Sequence, residues 1–231
     1  MTEEMLAQYS TLVDFLGQAL GPDYEVVLHE ILPENSRVAA IANGHISGRK
    51  VGAPITSSAL RMIMQKRYEE GEYELNYTGQ LPDGKTIRSS TMFIKDNGKL
   101  VGLLCINFDD SRFHAVSNAI LRIVHPDSFV QEHYFPADRG IKQAVQRPVP
   151  AEAERFQSNT TGLMEEIFDT VMQPVTVPID HLTQADRADI IARLYEAGLF
   201  ELRGVVQFTV KKLACSQASI YRYLQKAKNA E

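Results

Sequence analysis

Cysteine, tryptophan and long hydrophobic runs are scarce or absent in this chain of 231 residues. There is no tryptophan, and the two cysteines, Cys105 and Cys215, lie far apart outside any CxxC pattern, which argues against a disulfide framework or a cysteine-based zinc motif. No apolar run approaches the roughly 18 residues that a membrane span needs. The first ten residues, MTEEMLAQYS, are acidic where a secretory signal carries lysine or arginine. We therefore expect a cytoplasmic protein that does not contact a membrane.

The signatures of common enzymes are missing as well. The six histidines show none of the HxH, HxxxH or HExxH spacings of metal sites, and the glycines form neither GxSxG nor GxGxxG nor a phosphate-binding P-loop. Cys105 lies inside an apolar run, where a small buried side chain is a simpler interpretation than a reactive thiol. The sequence predicts no catalytic residue, no metal site and no cofactor, and hence not an enzyme.

Charge is distributed unevenly along the chain, whose formal net charge is −5. Residues 1–180 contain 16 Lys and Arg against 24 Asp and Glu, whereas residues 181–231 contain 8 against 5. An acidic body with a basic C-terminal region favours contact between that region and a polyanion such as nucleic acid.

The first 110 residues predict a helix followed by five strands. The helix carries apolar residues at 3-4 spacing, which fits either packing on its own domain or a dimer seam. These residues are Leu6, Tyr9, Val13, Leu16 and Leu20. Strand-like runs lie at 24–30, 37–42, 73–79, 87–95 and 100–109, with helical spacing within 53–71 and a hairpin signal at Asn97-Gly98. This is the order of a PAS domain, and it predicts an α+β fold with a five-stranded antiparallel sheet.

Polar residues concentrate where they would face the concave side of that sheet. The stretch IANGHISGRKVGAPIT (41–56) follows a strand directly, and further polar residues occur in two later strands. Polar groups that point into a sheet-lined pocket orient small ligands, although turn and capping chemistry is the alternative explanation. The predicted ligand-binding residues are Asn43, His45, Ser47, Ser89, Ser90, Asn107 and Asp109.

The chain divides into three predicted regions. The first, 1–134, is the PAS-like domain and ends in a helical pattern over 110–125. Residues 135–159 are polar and contain three prolines, which indicates a flexible connector, and a helical pattern at 161–173 completes a connecting region of 135–180. The third region is 181–231.

The third region predicts three short helices. Thr183 begins the first with a box-like start, Gly198 ends it, and a second helix lies at roughly 205–213. The bend ACSQ separates it from a third helix at 217–228, because a small residue such as Ala214 lets the chain turn sharply. Three helices in this order are typical of a helix-turn-helix unit whose last helix enters a DNA major groove.

The side chains at the start of that last helix suit a DNA duplex. Gln reads adenine edges, Arg reads guanine or phosphate, hydroxyl groups bind phosphate, and nearby lysines add sequence-independent attraction. The alternative is a small helical domain whose lysines form a solvated face. The predicted DNA-contacting residues are Thr209, Lys212, Gln217, Ala218, Ser219, Tyr221 and Arg222.

Three long motifs resemble those of the YheO-like PAS transcriptional regulators of bacteria, a family that includes the D-arginine utilisation repressor. They read NGHISGRKVGAPIT, RSSTMFIKDNGKLVGLLCINFD and LYEAGLFELRGVVQFTVKKLACSQASIYRYL. The resemblance implies a PAS-like sensor, a C-terminal helix-turn-helix, and repression or activation tuned by a small molecule, with an amino acid as one candidate. The family's turn usually reads L-G-V-S, whereas this chain has Ala214 at the glycine position.

Two functions of different classes are consistent with these features. The first is a transcriptional regulator that binds a double-stranded DNA operator as a homodimer or higher homo-oligomer and responds to a small-molecule effector. The second is a PAS-type interaction module whose terminal helices bind a partner protein. A salt titration on random DNA separates them, because DNA binding weakens steeply as salt rises.

Overall fold

A sheet with helices on its two faces is followed by a helical C-terminal region. The computed structural model describes residues 1–33, 36–81, 83–134, 154–155 and 159–228. The helices are α1 (Glu3–Leu20), α2 (Ser57–Met64), α3 (Arg67–Glu70), α4 (Ser111–Val124), α5 (Asp127–His133), α6 (Thr160–Met172), α7 (Gln184–Glu196), α8 (Val205–Leu213) and α9 (Gln217–Lys228). The strands are β1 (Tyr24–Glu30), β2 (Arg37–Ala42), β3 (Tyr73–Gln80), β4 (Thr86–Asp96), β5 (Lys99–Phe108) and the short β6 (Glu154–Arg155).

The predicted α+β class and the five antiparallel strands are confirmed. The strand order is β2-β1-β5-β4-β3-β6, and Asn97 and Gly98 close the β4–β5 hairpin with positive φ values of 49° and 79°. The sixth strand was not predicted, since it is only two residues long and pairs in parallel with the edge of β3. Apart from that strand and Asn159, the predicted connector at 135–159 lies outside the described residues.

One face of the sheet is apolar and is covered by α1. This apolar face consists of Val26, Leu28, Ile94 and Leu104. Val13 of α1 is buried against it, and a Cβ atom at Gly17 would lie 2.3 Å from the Ala42 Cβ, so only glycine allows the helix this close to β2. Of the two interpretations of α1, packing on its own domain is therefore correct.

The opposite face of the sheet, called the polar face below, meets the rest of the chain. It consists of Glu25, Val27, His29, Ser89, Thr91, Phe93, Leu103, Cys105 and Asn107. Its apolar members belong to one core with α2, α6 and the C-terminal helices. Ser57 Oγ donates to Glu166 Oε1 at 2.6 Å, which joins α2 to α6. Gly198, after α7, packs so tightly that a Cβ there would lie 2.7 Å from the Leu60 Cγ of α2.

No helix in the described part of the chain combines the length and the hydrophobicity needed to cross a membrane.

Candidate nucleic-acid interface and ligand site

Helices α7, α8 and α9 form a three-helix unit around a shared apolar interior. Its buried residues are Ile190, Ile191, Leu194, Leu199, Val205, Leu213, Ile220 and Tyr223. Helix α8 ends at Leu213 and is capped by Ala214, whose φ of 47° and ψ of 48° lie in the left-handed region, so the chain turns sharply before α9. Ser216 Oγ then accepts a hydrogen bond from Ser219 N at 3.2 Å and caps the start of α9.

The outward side of α9 is polar and open to solvent. Gln217, Ala218, Tyr221 and Arg222 are exposed, and Ser219 is half-buried beside the capping serine. The side chain of Arg222 lies against Tyr223, with its Nη2 donating to the tyrosine hydroxyl at 3.3 Å. Five of the seven predicted DNA-contacting residues thus lie together on the first two turns of this helix.

The prediction that Thr209 contacts DNA is wrong. Thr209 is fully buried, and its Oγ1 donates to the Val205 carbonyl at 2.9 Å. Helical spacing explains this position, because residues 205, 209 and 213 all lie on the inner side of α8.

Lys212, the other predicted DNA contact on α8, has a side chain that contacts residues of its own chain. Its Nζ lies 5.6 Å and 5.5 Å from the ring centroids of Phe168 and Phe208, and 3.9 Å from Glu165 Oε1. These distances fit a cation–π contact together with a weak ion pair. Lys212 therefore joins α8 to α6 rather than lying beside the five residues on α9.

A buried polar cluster occupies one end of the polar face. The Glu25 carboxylate accepts hydrogen bonds from Ser47 N at 3.2 Å, Ser47 Oγ at 2.5 Å and Asn107 Nδ2 at 2.9 Å. Glu25 pairs in register with Asn107 on β5, which pairs in turn with Ser89 on β4. Glu25, Asn107 and Ser89 therefore form a row across three neighbouring strands, and Ser47, from the loop after β2, joins it at Glu25. All four side chains are buried.

Two atoms of this row lack the partner that burial normally requires. Ser89 Oγ and Asn107 Oδ1 are buried and make no hydrogen bond to any described residue. More than about 90% of buried polar groups are paired, so two exceptions on neighbouring strands call for an explanation. The serine hydroxyl donates or accepts and the amide oxygen only accepts. Both atoms can therefore accept a hydrogen bond that no described residue supplies.

Further along β1, the His29 ring faces Arg49. Arg49 Nη2 lies 3.5 Å from His29 Nε2 and donates to the Pro54 carbonyl at 3.0 Å. Burial, with the Arg49 charge as the second cause, lowers the pKa of His29 well below its ordinary value, so the ring is neutral at neutral pH. Because guanidinium only donates, Nε2 accepts and the proton resides on Nδ1, which has no partner among the described residues.

Two of the predicted ligand residues instead hold the backbone together. Asn43 Nδ2 donates to the carbonyls of Gly17, Gly21 and Tyr24 at 2.8–3.1 Å and ties the end of α1 to β1. This is the turn and capping role that the sequence left open as the alternative.

Asp109 instead stabilises the turn that precedes α4. Its Oδ1 accepts hydrogen bonds from Ser111 N at 2.9 Å and from Ser111 Oγ. Partial burial acts to raise the pKa of Asp109, but these hydrogen bonds oppose that effect and the pKa is lowered.

Two other predicted ligand-binding residues, His45 and Ser90, do not face the buried polar cluster. His45 is exposed to solvent. Ser90 adjoins Ser89, and since successive side chains of a strand point to opposite faces, both cannot line the polar face. Ser90 Oγ instead accepts from Asn76 N at 3.1 Å, where β3 is irregular. The predictions for these two residues need correction, and Ser47, Ser89 and Asn107 are the three that the structure brings together.

Sequence reasoning missed Glu25, His29, Arg49 and Tyr77. Tyr77 OH lies 2.8 Å from Thr91 Oγ1, which extends the polar face toward β3. A signal was present in the sequence: in the run YEVVLHE, Glu25 and His29 are four residues apart and therefore lie on the same side of the strand.

Metal and thiol chemistry find no support in the described residues. They contain no group of three His, Cys, Asp or Glu side chains placed to hold a metal ion. Burial raises the pKa of the Cys215 thiol, against an opposing effect of Arg187, so the reactive thiolate is disfavoured.

Comparison with known proteins gives two family matches. Residues 1–125 match the model described as a YheO-like PAS domain, and residues 163–225 match a model described as an HTH domain. The second match begins within α6, which agrees with the packing of that helix against the three-helix unit.

Similar proteins extend over most of this chain. The uncharacterised protein YheO of Escherichia coli (strain K12) is 24% identical over 99% of this chain and 87% of its own length. An uncharacterised protein of Haemophilus influenzae is 24% identical over 99% of this chain and 94% of its own length. The transcriptional regulator DauR of Pseudomonas aeruginosa is 24% identical over 96% of this chain and 94% of its own length. With more than half of its residues matched by the first model, the chain belongs to the YheO-like PAS domain family.

Proposed function

We propose that this chain is a transcriptional regulator that binds an operator through α9 and is controlled by a small molecule bound on the polar face. The observation that carries the proposal is the exposed polar surface of α9 on a unit that matches an HTH domain. The similarity to DauR, a transcriptional regulator, supports the same function. The proposal assigns no catalytic step to the chain.

The proposed DNA contacts lie on the first two turns of α9. They are Gln217, Ala218, Ser219, Tyr221 and Arg222. Two copies of the chain would place two such helices about 34 Å apart, one helical turn of DNA, so the expected operator has two related half-sites. The three regions 1–134, 135–180 and 181–231 remain our proposed division, with α6 packed on the third.

Arg222→Ala tests the reading surface. We expect operator binding to weaken by about 1–3 kcal/mol, because a bidentate arginine contact to a base contributes about that much. The operator is first obtained by in vitro selection from random duplexes, and affinity is measured by fluorescence anisotropy at fixed salt. Lys99→Ala removes the same charge from the exposed first residue of β5 and is the matched control.

Equal affinity of the Arg222→Ala protein and the control would exclude α9 as the reading helix. If the parent chain binds no duplex even at low salt, the alternative of a partner-protein module is favoured over DNA binding.

The effector site that we propose is centred on Glu25, Ser47, Ser89 and Asn107. Its unpaired hydroxyl and amide oxygen suit a small polar molecule with hydrogen-bond donors, and an amino acid is one candidate of this kind. A signal would reach the reading unit through α2, whose side chains pack in the same core as the polar face and α7. The hydrogen bond between Ser57 and Glu166 lies on that route.

Two neighbouring serines provide a matched test of the effector site. A panel of amino acids is screened for an increase in the melting temperature of the full chain, and bound molecules are identified by native mass spectrometry. We expect Ser89→Ala to lose most of the increase, while Ser90→Ala, on the other face, keeps it. An equal response of the two variants would place the effector elsewhere in the chain.

A further inference from the structure

Helix α4 carries a row of apolar side chains that the described chain leaves more than half exposed. This row, the α4 stripe, consists of Phe113, Val116, Ile120, Ile123 and Val124, which are 59%, 59%, 55%, 84% and 69% exposed. No residue of α4 is buried within the described part of the chain. Single exposed apolar residues are ordinary, but a contiguous row of five marks an interaction surface.

The spacing of the stripe is that of a helix packed on another helix. Phe113, Val116, Ile120 and Ile123 follow 3-4-3 spacing, the a and d positions of two heptads. By comparison, α1 has the same kind of spacing but is packed against the apolar face of its own sheet. On α4, Phe113 touches the Phe108 ring at the end of β5, with the ring centroids 5.6 Å apart, but no helix or sheet face of the described residues covers the stripe.

The charges beside the stripe do not oppose association. Arg112 Nη1 lies 3.1 Å from Asp23 Oδ1, and Arg122 Nη1 lies 2.8 Å from Asp127 Oδ1. Because these arginines are already paired, a second copy of the same helix would meet no cluster of unpaired like charges.

We propose that the α4 stripe is the centre of an interface between two copies of this chain. Its exposed apolar area is on the order of 500 Å² per copy, compared with about 800 Å² per partner in a standard protein interface. The choice of a second copy rests in part on the proposed function, which requires two reading helices. Residues 135–153 of the same chain match the stripe less well than a second copy of α4, because they carry three prolines and lack continuous 3-4 apolar spacing.

Ile123→Glu in the full chain tests this interface. The mass of the parent is measured by sedimentation velocity from about 1 to 100 µM, a range in which a specific dimer is detected. We expect a dimer for the parent and dimerisation weakened at least about a hundredfold by the glutamate, because its charge would be buried without a partner. Ala115→Glu adds the same charge on the opposite side of α4 and should keep the parent's dimer.

A folding check and a second variant separate loss of the interface from loss of the fold. Ile123 is the most exposed residue of the stripe, so the variant should fold, and far-ultraviolet circular dichroism checks this. The uncharged Ile123→Ser variant, expected to weaken the dimer at least about tenfold, repeats the test if the glutamate disturbs the helix.

Two outcomes overturn the proposal. One is a parent that stays monomeric over the whole range, including the case in which hydrogen exchange finds the stripe protected by the chain's own residues 135–153. The other is dimerisation of the Ile123→Glu protein as tight as that of the Ala115→Glu control. No DNA is present in the measurement, so failure of operator binding and failure of this interface are separate results.

Discussion

The two faces of the central sheet are built from the same strands and are equally buried, yet they differ in chemistry. On β1, Val26 and Leu28 point to the apolar face, while Glu25 and His29 point to the polar face, and all four are fully buried. Burial alone therefore does not distinguish the two faces. The difference lies in hydrogen bonding, because the polar face contains groups without partners among the described residues.

The two faces of the sheet therefore contribute differently to the stability of the domain. The apolar face is closed by α1 and stabilises the fold. Unpaired polar groups on the other face cost stability, and such groups are typical of sites that are completed by a ligand. The same face also shares its core with α2 and the C-terminal helices, so the proposed effector site is connected to α9 by packed side chains.

The largest expected effect concerns the apolar face. Leu28→Ala should lower the free energy of unfolding by about 2–5 kcal/mol, because it leaves a cavity in a closed core. Leu75→Ala is the matched control, since Leu75 on β3 is 60% exposed and should change the free energy by less than about 0.5 kcal/mol. Urea denaturation followed by circular dichroism measures both. Similar losses in the two variants would mean that α1 does not close this face.

A pH titration tests the polar face at His29. Its pKa is lowered in the folded state, so the unfolded chain takes up a proton first and the stability that is present above about pH 6.5 is lost as the pH falls below it. This one group contributes a slope of at most about 1.4 kcal/mol per pH unit. His29→Gln should remove that part of the slope between pH 7 and 5, whereas the exposed His45→Gln should retain it. An unchanged slope in His29→Gln would show that the ring is not held neutral.

Much of the fold was predictable from the sequence because its signals are local. The alternation within the strands, the Asn97-Gly98 turn and the apolar spacing of the last three helices each depend on neighbouring residues. The short strand β6 was not predictable in this way, because its position depends on pairing with β3, far away in the sequence.

The site was predicted less well, since it depends on which way side chains point. Asn43 and Asp109 were chosen as polar residues near the sheet, but backbone groups use their hydrogen bonds. Arg49 reaches His29 across a loop, a contact that no sequence pattern specifies. Thr209 could have been excluded in advance, because its spacing from Leu213 places it on the inner side of α8.

The smallest expected effect gives the sharpest comparison of the two sides of one strand. Ser89→Ala removes a buried hydroxyl that has no partner among the described residues, so the free energy of unfolding of the ligand-free chain should stay unchanged or rise by up to about 1 kcal/mol. Ser90→Ala removes an acceptor used by Asn76 N and should lower it by about 0.5–1 kcal/mol. Urea denaturation at a single pH measures the pair. A clear loss in Ser89→Ala would mean that the hydroxyl is already satisfied in the free protein, and the polar face would then be a structural network instead of an open binding site.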